Sequence, residues 1–399
     1  MPSSNISIKP VSTRGDRRTF LLFPWRLYRN DPMWVPPVLS ERAAIINPHR
    51  NALFQTGEVA LFIAWRDGHP VGTIGLAVDT IGNHNRIESI AVFGFFECIN
   101  DRAVSDSLLN HAIDWTRHRN INILQGPQSF SASEDPGVLI EGRETPRGLL
   151  MNWTMPYYQN MLEDYGFIIF EDSLAYRVYL KDYVDGQGNL VLPGGIQRIN
   201  RYLRRRYDET TCRVRQGDLD NWDAELEIAR TIYNRALANL QGFVPMNKQD
   251  WKRIAESINP LLSAEFILFV EMNGEPVAFA LALPDINMAL WHCNGLRFPW
   301  NYVQLWWHSR KLPGLSFKIL AMLPEYHGLG LDALVYEHLA LASYRHGYEW
   351  VDMSLTGSNN PTTNKLASRI GAKIDKRYRI YEYLIKQKST GDPDDRPTR

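Results

Sequence analysis

ALFIAWRDGHPVGTIGL, residues 60–76, is answered later in the chain by ILFVEMNGEPVAFAL, residues 267–281. Gly68 and Gly274 lie 206 residues apart, and so do Ile8 of ISIKPV and Val214 of CRVRQG. Pro156 stands ten residues before Gly166, Pro361 stands ten before Gly371, and these pairs are 205 apart. Three landmarks in one order at nearly one spacing make two copies of a domain; a solenoid would repeat at a far shorter period. In both segments Asp67-Gly68 or Asn273-Gly274 interrupts two apolar, strand-forming runs, which is a strong local hairpin signal. What the chain does therefore has to follow from what differs between the copies.

The 399 residues suit two domains, and 44% hydrophobic residues suffice for two cores. Some of the twelve Trp are expected to line a groove or the seam between copies. Lys+Arg and Asp+Glu balance at 44 each, so no net field draws the chain to nucleic acid or to an acidic membrane. Cys98, Cys212 and Cys293 are odd in number and far apart, the pattern of free thiols in a reducing compartment. There is no basic-then-apolar leader, and no apolar run reaches the ~18 residues of a membrane span. These observations set the expectation of a soluble cytoplasmic protein with no nucleic-acid, membrane or metal partner.

Each copy opens on a short strand (6–11; 212–215), and helical patterns follow at 224–240 and 251–258 in the second. After the hairpin come a strand at 317–323, a helix at 331–346, a strand at 349–355, a short helix at 364–370 and a terminal strand pair through RYRIYEYLI. This mixed order, with one strand–helix–strand crossover, predicts an α/β fold: a twisted, mostly antiparallel sheet with helices on both faces. The domains read as 1–182, a linker with a basic helix at 183–207, 208–388, and a polar, disordered tail at 389–399. Arg201, Arg204 and Arg205 in the linker recur at helical spacing, as on a solvated face. Copy one carries a Gly-, Pro- and Ser-rich insertion at 125–148, expected as a long loop. The insertion of copy two, 293–314, predicts an amphipathic helix. Its Trp306 and Trp307 are expected to cover the core, with a dimer contact or an acyl-chain wall as alternatives.

Chemistry concentrates in LPEYHGLGLDALVYEHL, residues 323–339. A strand ends at a proline, two glycines (Gly328, Gly330) turn the chain, and a helix begins. Such a turn lets backbone approach a ligand and offers unpaired N–H groups to an anion, with pyrophosphate the natural occupant. With that turn, the element order resembles the GNAT superfamily of acyl-CoA-dependent N-acyltransferases, here as a tandem. FPWRLYRNDPMWVPP (23–37), VFGFFECIND (92–101) and KRYRIYE (376–382) resemble an uncharacterised bacterial family of tandem GNAT-like proteins.

The resemblance implies two tandem GNAT-like domains and acetyl-CoA or another acyl-CoA as co-substrate. It implies a coenzyme site at Met322, Leu323, His327, Gly328, Leu329, Gly330, Leu331 and Asp332, joined by Asn360 of the late-helix pattern. His327 stands at the pattern's first position and Asp332 at its last, where a carboxylate opposes phosphate. The late helix retains Pro361, Leu366 and Gly371, but Ala367 stands where the family's acid Tyr would be. Copy one has Leu162 there, and its turn, ECINDRAVS (97–105), lacks glycine and carries Asp101. Copy one is thus expected not to bind coenzyme in the family's manner. An oxyanion donor is expected near Met322–Leu323. Candidate acids and bases are His292, Asp352, Ser354 and Tyr378, with Tyr381 beside them; each is also readable as packing or pairing. The leading function is acyl transfer from acyl-CoA to a small-molecule or peptide amine. The rivals are a catalytically silent ligand- or partner-binding tandem and an aminoacyl-tRNA-dependent transferase.

Overall fold

The computed structural model describes residues 5–51, 53–84, 86–130, 137–239 and 243–386; the tail expected at 389–399 lies outside them. Copy one runs β1 (Ile6–Pro10), α1 (Arg14–Leu27), α2 (Leu39–Ile45), α3 (Leu53–Thr56), β2 (Gly57–Arg66), β3 (His69–Asp79), α4 (Thr80–His84) and β4 (Ile90–Cys98). It continues through α5 (Arg102–Arg117), β5 (Ile123–Gly126), β6 (Val138–Glu141), α6 (Tyr158–Tyr165) and β7 (Ile168–Tyr179). The basic linker helix is α7 (Gly194–Arg206). Copy two runs β8 (Cys212–Gln216), α8 (Trp222–Leu237), α9 (Lys248–Ile258), β9 (Ile267–Met272), β10 (Glu275–Pro284), α10 (Asn287–Leu290) and α11 (Pro299–His308). It closes with β11 (Gly314–Met322), α12 (Leu331–Arg345), β12 (Trp350–Gly357), α13 (Pro361–Arg369) and β13 (Lys373–Leu384).

Both hairpins form where the repeat puts them. Asp67 and Gly68 have φ of 51° and 77°, and Asn273 and Gly274 have 54° and 84°. Two successive positive φ values match the right-handed twist of the flanking strands, which is why Asp/Asn-Gly occupies both turns. The crossover helices are held by apolar stripes: Val104, Leu108, Leu109 and Ala112 on α5, and Leu331, Leu334, Val335 and Leu339 on α12.

The halves are not separate. All strands join one sheet in the order β1-β2-β3-β4-β5-β13-β7-β12-β11-β10-β9-β8, with β6 against β13. Each copy's last strand crosses over: β7 pairs antiparallel with β12 of copy two, and β13 pairs with β5 of copy one. The two exchanged strands pair with each other from Lys373↔Arg177 to Glu382↔Ile168. The expected terminal strand pair of copy two is therefore one strand, β13, whose hairpin-like partner comes from the other copy. The insertion at 125–148 is not all loop either; Val138–Glu141 forms β6.

A buried ionic cluster fastens the exchange. Arg177 of β7 donates to Asp352 of β12 through Nε (2.5 Å) and Nη2 (3.2 Å) and reaches Asp375 at 3.2 Å. Lys376, fully buried, donates to the Gly142 and Thr145 carbonyls and to the Thr145 hydroxyl at 2.6–3.0 Å. Burial lowers the Lys376 pKa, and Asp375 opposes that shift.

Candidate functional site

β11 and β12 run parallel and are paired only from Gly314↔Trp350 to Phe317↔Met353. Beyond that rung β11 continues five residues to Met322, so the strands part over about 16 Å. Leu323 N–H donates to the Val277 carbonyl at 3.0 Å, which makes 323 and 277 a hydrogen-bonded pair. The next rung, Ala278↔Met322, is then the non-bonded kind, and the Met322 N–H turns away from β10 toward the gap. Of the pair Met322–Leu323, where an oxyanion donor was expected, the Leu323 N–H is consumed within the sheet.

Copy one has the same frame with the gap filled. Ile99 N–H donates to Val71, the counterpart of Val277, and Cys98 ends β4 as Met322 ends β11. The Cys98 N–H is taken at 2.9 Å by the Tyr158 hydroxyl, and its carbonyl accepts from Tyr157 at 2.7 Å. Tyr158 also donates to half-buried Glu97 at 2.8 Å, as does Tyr28. At the neighbouring helix start, the Asp101 carboxylate accepts the Ala103 N–H at 2.9 Å and pairs with Arg66 at 2.7 Å. A protein carboxylate thus occupies the anion position of α5. The two residues after Pro156 are Tyr157 and Tyr158; those after Pro361 are Thr362 and Thr363.

At the copy-two turn Gly328 and Gly330 have φ of 78° and 85°, in the left-handed region that favours glycine. Space around Gly328 is open, whereas a Cβ on Gly330 would meet Ile199 of α7 at 2.7 Å. Gly330 is therefore favoured by the close approach of the linker helix as well as by the turn. α7 packs along α12, with Asn200 donating to the Ala333 carbonyl at 3.1 Å and Arg204 paired to Glu337. Arg198, Arg201 and Arg205 stay exposed on its flanks. His327 donates from Nε2 to the Met322 carbonyl at 3.0 Å, a use the sequence does not announce. Asp332 folds onto the N–H groups of its own turn, and burial raises its pKa. Leu329 is exposed and Leu331 fully buried. Asn360 caps α13 by accepting the Thr363 N–H at 3.2 Å.

The candidate acids and bases do not converge. Asp352 is buried beside the root of the gap, but both its oxygens are engaged by Arg177. Tyr378 is buried beneath copy one, donates to the Asn152 carbonyl at 3.0 Å, and so is misplaced for the copy-two gap. Tyr381 likewise donates to Glu163 of copy one at 2.9 Å. His292 follows the short helix α10, not a strand; it is exposed and stacked on His308 at 4.2 Å. Partial desolvation by the neighbouring rings and the charge of His308 lower its pKa. Ser354 belongs to β12, and its side chain is outside what the structure describes.

Sequence reasoning passed over a residue in the same buried well. Asp285, 1% exposed, follows β10, and its pKa is pushed up to about 7 by burial and by the Asp352 charge. Lys318 and Arg177 oppose that rise. Ser316 lies opposite Asp352 on β11; its hydroxyl is buried and has no partner among the described residues. Asp285, Ser316 and Asp352 thus form a polar floor where β11 and β12 begin to part. The signal was weak, because Asp285 has a counterpart in Asp79 and the copies do not differ there.

The fold is that of tandem GNAT proteins. The chain superposes with a TM-score of 0.56 on a tandem GNAT protein from the clavulanic acid biosynthesis pathway, at 12% identity, covering 96% of this chain and 100% of that one. A GCN5-related glucosamine N-acetyltransferase region of a fungal multi-domain β-N-acetylglucosaminidase gives 0.54 at 12% identity, covering 96% of this chain and 38% of that one. In sequence the chain is 27% identical over 394 residues to the bacterial ceramide synthase of Caulobacter vibrioides, covering 96% and 98% of the two chains. It is also 27% identical over 388 residues to Protein YghO of Escherichia coli, covering 95% of each. No family model matches the sequence.

Proposed function

We propose that the chain is an acyl-CoA-dependent N-acyltransferase whose thioester site is the gap between β11 and β12. The observation that carries this reading is the difference between the gaps: Tyr157 and Tyr158 close the first on Cys98, while the Met322 N–H faces an unpaired stretch in the second. The coenzyme's pyrophosphate would lie at 327–332, next to α7 with its exposed Arg198 and Arg201, and its pantetheine arm along β11. The amine nitrogen attacks the thioester carbonyl carbon, and charge gathers on the carbonyl oxygen, where a backbone N–H of β11 at the root of the gap stabilises it, the Met322 N–H being left to the pantetheine arm. The C–S bond then breaks; the nitrogen's proton passes to Asp285, and the departing thiolate is reprotonated. A carboxyl poised near pH 7 suits that exchange.

For the acceptor we infer an amphiphilic long-chain amine, on the strength of the name carried by the Caulobacter relative. A thiol-release assay that crosses short- and long-chain acyl-CoA with short and long amino alcohols tests both halves. Acyl-CoA turnover that requires a long-chain amine supports the reading; turnover with short amines alone removes the acceptor assignment. Asp332 and α7, which crowd the turn, favour the silent-tandem alternative. Failure to bind any acyl-CoA would establish that alternative.

A further inference from the structure

α11 is built inside out. At about 100° per residue, Tyr302, Trp306, Val303, Trp307 and Trp300 sweep an arc about 160° wide. A surface helix turns such an arc to the core. Here it faces solvent, with Trp300 59%, Val303 66% and Trp307 63% exposed. The opposite edge is firmly seated: Leu305 packs with Val35, Leu290 and Cys293, and Asn301 is buried and accepts the Phe298 N–H at 3.0 Å. The insertion is clamped to copy one by Trp25 Nε1 on Asn294 Oδ1 (2.9 Å) and Trp291 Nε1 on the Pro32 carbonyl (2.8 Å). The aromatic face is therefore a fixed platform. Its own segment carries one sign of charge, since no Asp or Glu occurs between Asp285 and Glu325. Arg310 lies 3.9 Å over the Trp306 ring, Arg297 flanks Phe298, and Lys311 follows.

We propose that α11 is an interfacial helix that docks the protein on an anionic lipid bilayer. Trp and Tyr, apolar in body and polar at one edge, favour the headgroup boundary, and flanking cations add attraction to acidic lipids. No described helix is long and apolar enough to cross a membrane, so the helix lies in the interface plane. The expectation of no membrane partner rested on zero net charge and the lack of a long apolar run, and neither bears on a ten-residue helix with a local charge bias. The proposal does not depend on the transferase reading.

The test is flotation of the full chain with vesicles of phosphatidylcholine alone or with phosphatidylglycerol, alongside light scattering without lipid. Wild type is expected to float with the anionic vesicles. W300Q/V303Q/W307Q, whose side chains face solvent, is expected to keep its fold by circular dichroism and lose about tenfold or more in partitioning. R310E/K311E should lose the preference for phosphatidylglycerol. Equal flotation of the triple variant, or no flotation of wild type with either vesicle, overturns the proposal. A wild-type dimer that the triple variant dissolves, without vesicle binding, assigns the face to a second copy instead.

Discussion

Thr363→Tyr copies into the second gap the plug that closes the first. Tyr158 and Thr363 each stand two residues after the proline of their late helices, and Cys98 and Met322 each precede the N–H that bonds Val71 or Val277. In copy one the Tyr158 oxygen lies 2.9 Å from the Cys98 nitrogen; the new tyrosine should take the Met322 N–H in the same way. To bind, the pantetheine arm of an acyl-CoA must break that hydrogen bond, at about 1 kcal/mol, and expose much of an aromatic ring, at about 2 kcal/mol. The sum of about 3 kcal/mol corresponds to a loss of roughly a hundredfold in affinity. Calorimetric titration with an acyl-CoA measures it, with thermal unfolding as the check that the variant remains folded. A folded Thr363→Tyr protein with wild-type affinity would refute the assignment of the thioester to this gap.

Asp285→Asn should lower turnover by about a hundredfold or more and remove an acid limb near pH 7 from the rate profile. It also has a stability signature. The folded pKa of about 7 lies above the unfolded value, so the Asp285 contribution is complete below about pH 4 and is lost as pH rises through 7; wild type should lose stability relative to D285N across that window in urea titrations. Arg177→Met leaves Asp352 and Asp375 buried without their common partner and should cost about 3 kcal/mol or more by urea unfolding. Gly330→Ala places a Cβ against Ile199 at a positive φ, so it should lower stability with or without coenzyme; adding Ile199→Ala should recover part of the loss in thermal unfolding. Asp332→Asn removes a carboxylate from the α12 start and should tighten acyl-CoA binding several-fold by calorimetry; unchanged affinity would mean that the charge does not face phosphate.

Local signals are legible in the sequence. Asp67-Gly68 and Asn273-Gly274 dictate their turns through backbone sterics, and the apolar stripe of α12 and the glycines before it needed no tertiary information. The strand exchange was invisible because β7 and β13 have the same pattern whichever neighbour they pair with. With it went Arg177, which meets Asp352 only because a copy-one strand lies beside β12. Trp306 and Trp307 face solvent rather than the core, which the sequence does not show for a physical reason: periodicity locates an apolar face but does not say which way it points. The closure of the first gap was legible only in part. The glycine-free turn with Asp101 was visible, while the hydroxyl of Tyr158 on Cys98 required the fold.

The central claim is that the chain holds one thioester, in the second gap. Native mass spectrometry with a non-hydrolysable acyl-CoA thioether tests it by counting ligands per chain. A single bound ligand is expected, lost in Thr363→Tyr and retained in Tyr158→Phe. Two ligands per chain, or one that survives Thr363→Tyr and vanishes with Tyr158→Phe, would contradict it.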